Sequence, residues 1–263
     1  MRELRRQVLV TSHGPDADLE LSSRPAGSPE ASNTHLRIAT LVSYYVRVSP
    51  QRGMRFSSTE IFQLLAAIAA LTLAFTLTLG RGVGRIADLI RTFDPEFLLL
   101  LGVSFVAVMT GFILHELAHK VVAQRYGCLA EFRYFPVGLL MGIVTAALGF
   151  IFAAPGAVVI SGAVTPRQNA RISAAGPGTN LAVAAGFLGL AFAFGSASGS
   201  PGLIDFLVAN VAFVNLLLGG FNLIPVPPLD GSKIFAFNKP MWVGLVVALV
   251  GVGAAGWWGR VFF

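Results

Sequence analysis

His115, Glu116 and His119 fall within five residues of each other, in the run Gly111-Phe112-Ile113-Leu114-His115-Glu116-Leu117-Ala118-His119-Lys120. Residues four apart share one face of a helix, so both imidazoles can reach a single cation. Glu116, about 100° round the axis, stands beside the position they leave open. That set suits metal-assisted hydrolysis: nitrogen donors hold the cation, and a carboxylate takes a proton from water and returns it to a leaving group. In a soluble helix the same pattern arises by chance as a solvated face with incidental histidines. Here the flanking sequence is apolar. An ionisable group at mid-membrane costs about 2.5 to 3.5 kcal/mol on insertion scales, and no packing gain offsets it.

Two histidines leave a catalytic zinc one protein ligand short. His13 and His35 lie far away in a polar N-terminal region, whereas Asp230 follows Asn222-Leu223-Ile224-Pro225-Val226-Pro227-Pro228-Leu229. A helix cannot continue through those prolines, and unwound backbone at membrane depth is tolerated only against protein or a wet cavity. Asp230 is therefore the candidate third ligand. The alternative is an interfacial Asp-Gly turn at Asp230-Gly231.

The pair of motifs, His115-Glu116-Leu117-Ala118-His119 and Gly219-Gly220-Phe221-Asn222-Leu223-Ile224-Pro225-Val226-Pro227-Pro228-Leu229-Asp230-Gly231, closely resembles the site-2 protease family of intramembrane metalloproteases over roughly residues 95 to 235. The resemblance implies one zinc per chain held by His115, His119 and Asp230, with Glu116 as the catalytic glutamate. It also implies a role for Asn222 in holding substrate or the oxyanion, which a neutral amide donor suits. An interhelical hydrogen bond is the other reading of Asn222. Gly176-Pro177-Gly178-Thr179-Asn180 looks like the segment opening the family's third core helix. It serves either close backbone packing or, through Asn180, contact with the site or substrate. The substrate class implied is a single-span membrane protein or peptide, cut within or near the bilayer.

The elements that must position these residues are membrane helices. The chain has 263 residues, 55% hydrophobic and 12% charged, with a mean hydropathy of +0.73, outside the soluble range. Spans are expected at Ile61 to Leu79, Phe97 to Val122, Arg171 to Phe194, Leu203 to Leu223 and Met241 to Trp258, the last with Trp242, Trp257 and Trp258 as interfacial anchors. The expectation is an all-α membrane protein of about five transmembrane helices, spans two to four forming a three-helix catalytic core. Residues 58-263 would be the membrane-embedded metalloprotease domain. Residues 1-57, rich in Ser, Arg, Pro and Gly, read as a flexible cytoplasmic tail, with a β-prone stretch at 41-48. The apolar Val8 to Val10 is too short for a cleaved signal peptide, so the first span should direct insertion. Cys128, the single cysteine, allows no internal disulfide and reads as an inert boundary residue.

Sharing one ion requires the end of span two and the end of span four to lie on the same membrane side. Two crossings between them satisfy this and three do not. Residues 137-160, apolar but broken by Gly138, Gly142, Gly149, Pro155 and Gly156, must then be re-entrant or interfacial. They depart from the simplest family members, whose connection here is shorter and more polar, and could shield or gate the cleft. Of the 19 Lys and Arg, all but Arg81, Arg85, Arg91 and Arg260 fall on the side of the N-terminal tail. The positive-inside rule makes that side cytoplasmic, in a multi-pass protein expected in the plasma membrane. Dispersal of the basic residues around apolar segments excludes nucleic acid as the partner, despite a net charge of +6. A zinc transporter or a silent scaffold would keep the same three ligands. A transporter wants further intramembrane carboxylates along a path, which the spans hardly provide, and a silent scaffold has no use for Glu116.

Overall fold

The structure, a computed structural model, describes residues 54–194 and 202–262. The expected tail lies outside them as far as residue 53, with its β-prone stretch at 41-48.

Helix α1 (Ser58–Leu79) starts on the Ser57 side chain, which accepts the Glu60 N–H, and a short helix α2 (Val83–Arg91) leads to α3 (Pro95–Val108). Asp94 caps α3, and Pro95 takes the first position, where its missing N–H costs nothing. One π-helical turn, Met109–Ile113, joins α3 to α4 (Leu114–Arg125), so the second span is continuous from Pro95 to Arg125. Beyond β1 (Leu129–Tyr134), α5 (Pro136–Ala147) and β2 (Gly156–Ser161) come the long α6 (Pro166–Phe194), α7 (Leu203–Leu223), a short α8 (Asp230–Phe237) and α9 (Lys239–Trp258). Among the described residues, five helical stretches are long and apolar enough to cross a membrane. They coincide with the five expected spans, the third beginning earlier, at Pro166. Their outer faces carry exposed Phe62, Leu65, Leu98, Phe192 and Val247. Such faces suit lipid rather than water, and the chain is a multi-pass membrane protein. α6 is central, packing on α4, α7 and α8, while α1 packs on α3 and α5.

The segment 137–160 does not cross the bundle. α5 follows Tyr134, whose N–H donates to Gln63 in the N-terminal part of α1, and ends with Ala146 in a cluster with Ala74 and Leu77 near the far end of that helix. The chain then returns in extended form: Ala154 N–H donates to the Gly138 carbonyl and Phe135 N–H to the Pro155 carbonyl. A Cβ on Gly138 would sit 2.1 Å from the Ala154 oxygen, so glycine is what lets the returning chain lie against α5. The segment is re-entrant, as the crossing count requires.

The returning chain ends as β2, antiparallel to β1, with Phe132 opposite Val158. This small sheet was not expected. β1, Leu-Ala-Glu-Phe-Arg-Tyr, has the alternation of a half-buried strand, Ala130 and Phe132 buried and Glu131 and Arg133 pointing out. Six residues between two helical patterns carry that signal weakly.

Candidate metal centre

His115 and His119 project from the first turns of α4 onto one face, as four-residue spacing dictates. Their Nε2 atoms are 3.0 Å apart. Asp230 arrives from the far end of the chain: its Oδ2 is 3.0 Å from His119 Nε2 and 3.3 Å from His115 Nε2. All three residues are buried.

Each histidine is fixed by its other ring nitrogen. His119 Nδ1 is 2.7 Å from the Ile172 carbonyl and His115 Nδ1 is 2.5 Å from Asn180 Oδ1. Both partners are acceptors, so both Nδ1 atoms carry the proton and both Nε2 lone pairs turn toward Asp230. An anion and two imidazole lone pairs around one point call for a shared cation. Two nitrogens and a carboxylate oxygen are the donor set of a catalytic zinc site with a position left open. Gly176 of α6 supplies the room: a Cβ there would lie 2.4 Å from His119 Nε2 and 2.5 Å from His115 Nε2. The residues fit a zinc ion.

Local sequence explains how each element reaches the site. The π-helical turn shifts the register of the second span just ahead of His115, a common device at functional sites. The Gly111 carbonyl in that turn accepts from Asn180 Nδ2 at 2.7 Å. Asn180 Nδ2 also donates to Asn215 Oδ1 at 3.1 Å, and Asn215 Nδ2 donates to the Val211 carbonyl and Thr110 Oγ1. These contacts fix which way Asn180 points, so that its oxygen faces His115. Asn180 is fully buried, which places it behind a ligand rather than at a surface open to substrate.

Asp230 is brought back by the proline segment. α7 stops at Leu223, Pro225 to Leu229 turn the chain, and α8 opens with Asp230. Gly231 packs so closely on the end of α7 that a Cβ would lie 2.2 Å from the Leu223 oxygen. That same carbonyl accepts from Trp242 Nε1 at 2.8 Å, so Trp242, expected as an interfacial anchor, also pins the turn that delivers Asp230.

Glu116 faces the sheet: its Oε2 accepts the Val158 N–H at 3.1 Å. A cleft of about 390 Å³ opens over the site, lined by the three ligand residues, Glu116, Asn222 and the extended segment from Phe152 to Val158. Asn222 is partly exposed there, with Nδ2 donating to the Leu218 carbonyl at 3.0 Å. All six residues singled out in the sequence thus gather in one place, five on the cleft and Asn180 behind it. Sequence reasoning missed the Ile172 carbonyl, the Val158 N–H, Asn215 and Gly176. Two of these are backbone groups that any residue type would supply. Gly176 stood inside a quoted motif with nothing to mark what it faces.

A multi-pass helical membrane protein with this donor set and an adjacent glutamate defines a class of metallohydrolase, and the comparisons agree. The chain is 36% identical over 201 residues, 75% of its length and 94% of the relative's, to "Putative zinc metalloprotease MJ0611" of Methanocaldococcus jannaschii. It is 39% identical over 130 residues to "Putative zinc metalloprotease Rip3" of Mycobacterium tuberculosis, covering 49% of this chain and 29% of that one. It is 34% identical over 149 residues to "Putative zinc metalloprotease YwhC" of Bacillus subtilis, covering 49% and 65%. No family model matches the chain, and no solved structure matches it significantly. The chain belongs to the site-2 protease family of zinc metalloproteases.

Proposed function

We propose that this chain is an intramembrane zinc metalloprotease that hydrolyses peptide bonds of single-span membrane proteins or peptides, within or next to the bilayer. The observation that carries the reading is the convergence of His115 Nε2, His119 Nε2 and Asp230 Oδ2 on one point inside an apolar helix bundle, with Glu116 on the same cleft. Zinc bound there supplies Lewis acidity, polarising the scissile carbonyl and making water a nucleophile near neutral pH. Glu116 takes the proton from water and passes it to the departing amine. Its carboxylate is aimed by the Val158 N–H. Asn222 has a second amide N–H beyond the one given to Leu218, and we assign it to the oxygen that gains charge during attack.

The cleft also favours an extended substrate. Phe132 and Val158 form a pair that does not exchange hydrogen bonds, since their N–H groups go outward to Glu60 and Glu116. By alternation, Gly156 and Ile160 of β2 direct backbone groups away from β1 and toward the cleft, on either side of the Val158 N–H that Glu116 holds. A substrate unwound from its helix can pair there as an added strand. The distribution of Lys and Arg supports a cytoplasmic N-terminus with the site toward that face, and the membrane we assign is the plasma membrane.

The test is zinc content paired with cleavage of a model transmembrane peptide, comparing the parent with Glu116→Gln. Zinc should stay near one per chain in both proteins while turnover falls by about 10² to 10⁴, the usual contribution of a general base. Parental turnover in Glu116→Gln would remove Glu116 from that role. Chelation should abolish cleavage by the parent and added zinc restore it.

A further inference from the structure

Lys120 follows the last histidine of the motif directly, and the proposed mechanism leaves it idle. It is 1% exposed, and Glu60, in the first turn of α1, is fully buried. Lys120 Nζ lies 2.6 Å from both oxygens of Glu60, and the Phe56 ring covers the ammonium at 4.1 Å. Sequestering two full charges is costly unless each is completely paired, and the remaining demand of Glu60 is met by the Phe132 N–H at 3.0 Å. Gln63 of the same helix accepts the Tyr134 N–H at 3.3 Å. The first turns of α1 thus grip the outer edge of β1.

The opposite edge of the sheet is gripped by Glu116. Phe132 and Val158 are direct cross-strand partners, and each sends its N–H outward to a carboxylate, Phe132 to Glu60 and Val158 to Glu116. Lys120 is four residues after Glu116, so both project from the face of α4 that meets the sheet, while His115 and His119 point to the metal site. Glu60, β1, β2, Glu116, α4 and Lys120 therefore form a closed circuit.

We propose that Glu60 and Lys120 are positioning residues for the base: they clamp the sheet to α1 and α4 in the register that presents the Val158 N–H to Glu116. The clamp rests on the protease reading above for its purpose, but its geometry can be tested without cleavage.

The experiment uses the full chain in detergent or liposomes, with zinc content, hydrogen exchange of the 156–161 peptide, and kcat and KM on a model transmembrane peptide. Glu60→Leu/Lys120→Met replaces the pair by apolar side chains of similar size, a change that buried ion pairs often tolerate without loss of fold. Zinc content should match the parent, exchange at β2 should quicken at least tenfold, and kcat should fall about tenfold or more, with any rise in KM smaller than the fall in kcat. Glu60→Gln/Lys120→Met restores an acceptor for the Phe132 N–H without the charges and should recover most of both losses. Unchanged β2 exchange in the Leu/Met variant overturns the clamp. So does joint loss of zinc and activity, which would make the pair a support of the metal site. Should the Leu/Met variant fail to fold, the Gln/Met variant decides: slow exchange and near-parental kcat sustain the clamp, and fast exchange at full zinc overturns it. A zinc-loaded parent that cleaves no membrane peptide defeats the protease reading instead, and the exchange measurement still judges the clamp.

Discussion

Among the residues of the centre, Gly176 makes the sharpest demand on sequence. Its missing side chain leaves the space in which a Cβ would stand within 2.5 Å of both ligand nitrogens. Gly176→Ala should therefore retain helical circular dichroism and lose zinc, because the methyl group competes with the ion and not with packing at a distance. Normal zinc loading in that variant would put the ion elsewhere. Asn180→Ala acts one step back. Without its oxygen, His115 loses the acceptor that fixes its tautomer and ring orientation, and zinc affinity should drop by about 10 to 100-fold, the usual cost of removing such a partner. Competition titration against a chelator of known affinity measures the change, and an unaltered affinity would show that Asn180 does not orient the ligand. At this scale the sequence was largely legible. His115, Glu116, His119 and Asp230 are side chains whose chemistry is peculiar to their type, so charge in an apolar run marks them. The Ile172 carbonyl and the Val158 N–H carry no such mark.

Elements were legible where a period of about 3.6 residues or a long apolar run defines them, and obscure where short pieces rely on one another. The five spans need only length and hydropathy. β1 and β2 hold no core of their own; they exist because α1 takes one edge and Glu116 a bond on the other, a tertiary condition that local propensity cannot express. The same dependence governs α8, whose docking sets where Asp230 points. Gly231→Ala places a methyl group 2.2 Å from the Leu223 oxygen, in backbone that a proline segment keeps stiff. The expected result is loss of zinc with a destabilisation of about 1 to 3 kcal/mol, the range for overpacking a tight contact. Gly244→Ala, at a glycine of α9 with open space around it, is the control and should leave zinc content unchanged. Equal zinc loading in the two variants would mean that α8 can shift without carrying Asp230 away.

Across the whole molecule, the arrangement of crossings joins the metal centre to the membrane. The ligands sit at the end of the second span and just past the end of the fourth, and α1 begins at that same level, since Glu60 in its first turn meets Lys120 in α4. The hairpin of α5 and its returning strand enters from this side and leaves on it, so it adds no crossing. The start of α6 at Pro166 must then share a side with the site, and the α1–α2 turn must lie opposite. That separation could be anticipated from the crossing count, but the Glu60–Lys120 contact that anchors it, between residues 60 apart in the chain, was beyond local sequence reading. Single cysteines test the arrangement in a Cys128→Ala background, which removes the native thiol. A cysteine at Gly84, exposed with nothing packed on it, should react with a membrane-impermeant maleimide in intact cells. A cysteine at Arg167, exposed at the start of α6, should react only after permeabilisation, because the positive-inside rule assigns that side to the cytoplasm. Reversed labelling would invert the orientation and leave the centre intact. Labelling of both positions from one side would break the two-crossing relation on which a joint site for His115, His119 and Asp230 depends.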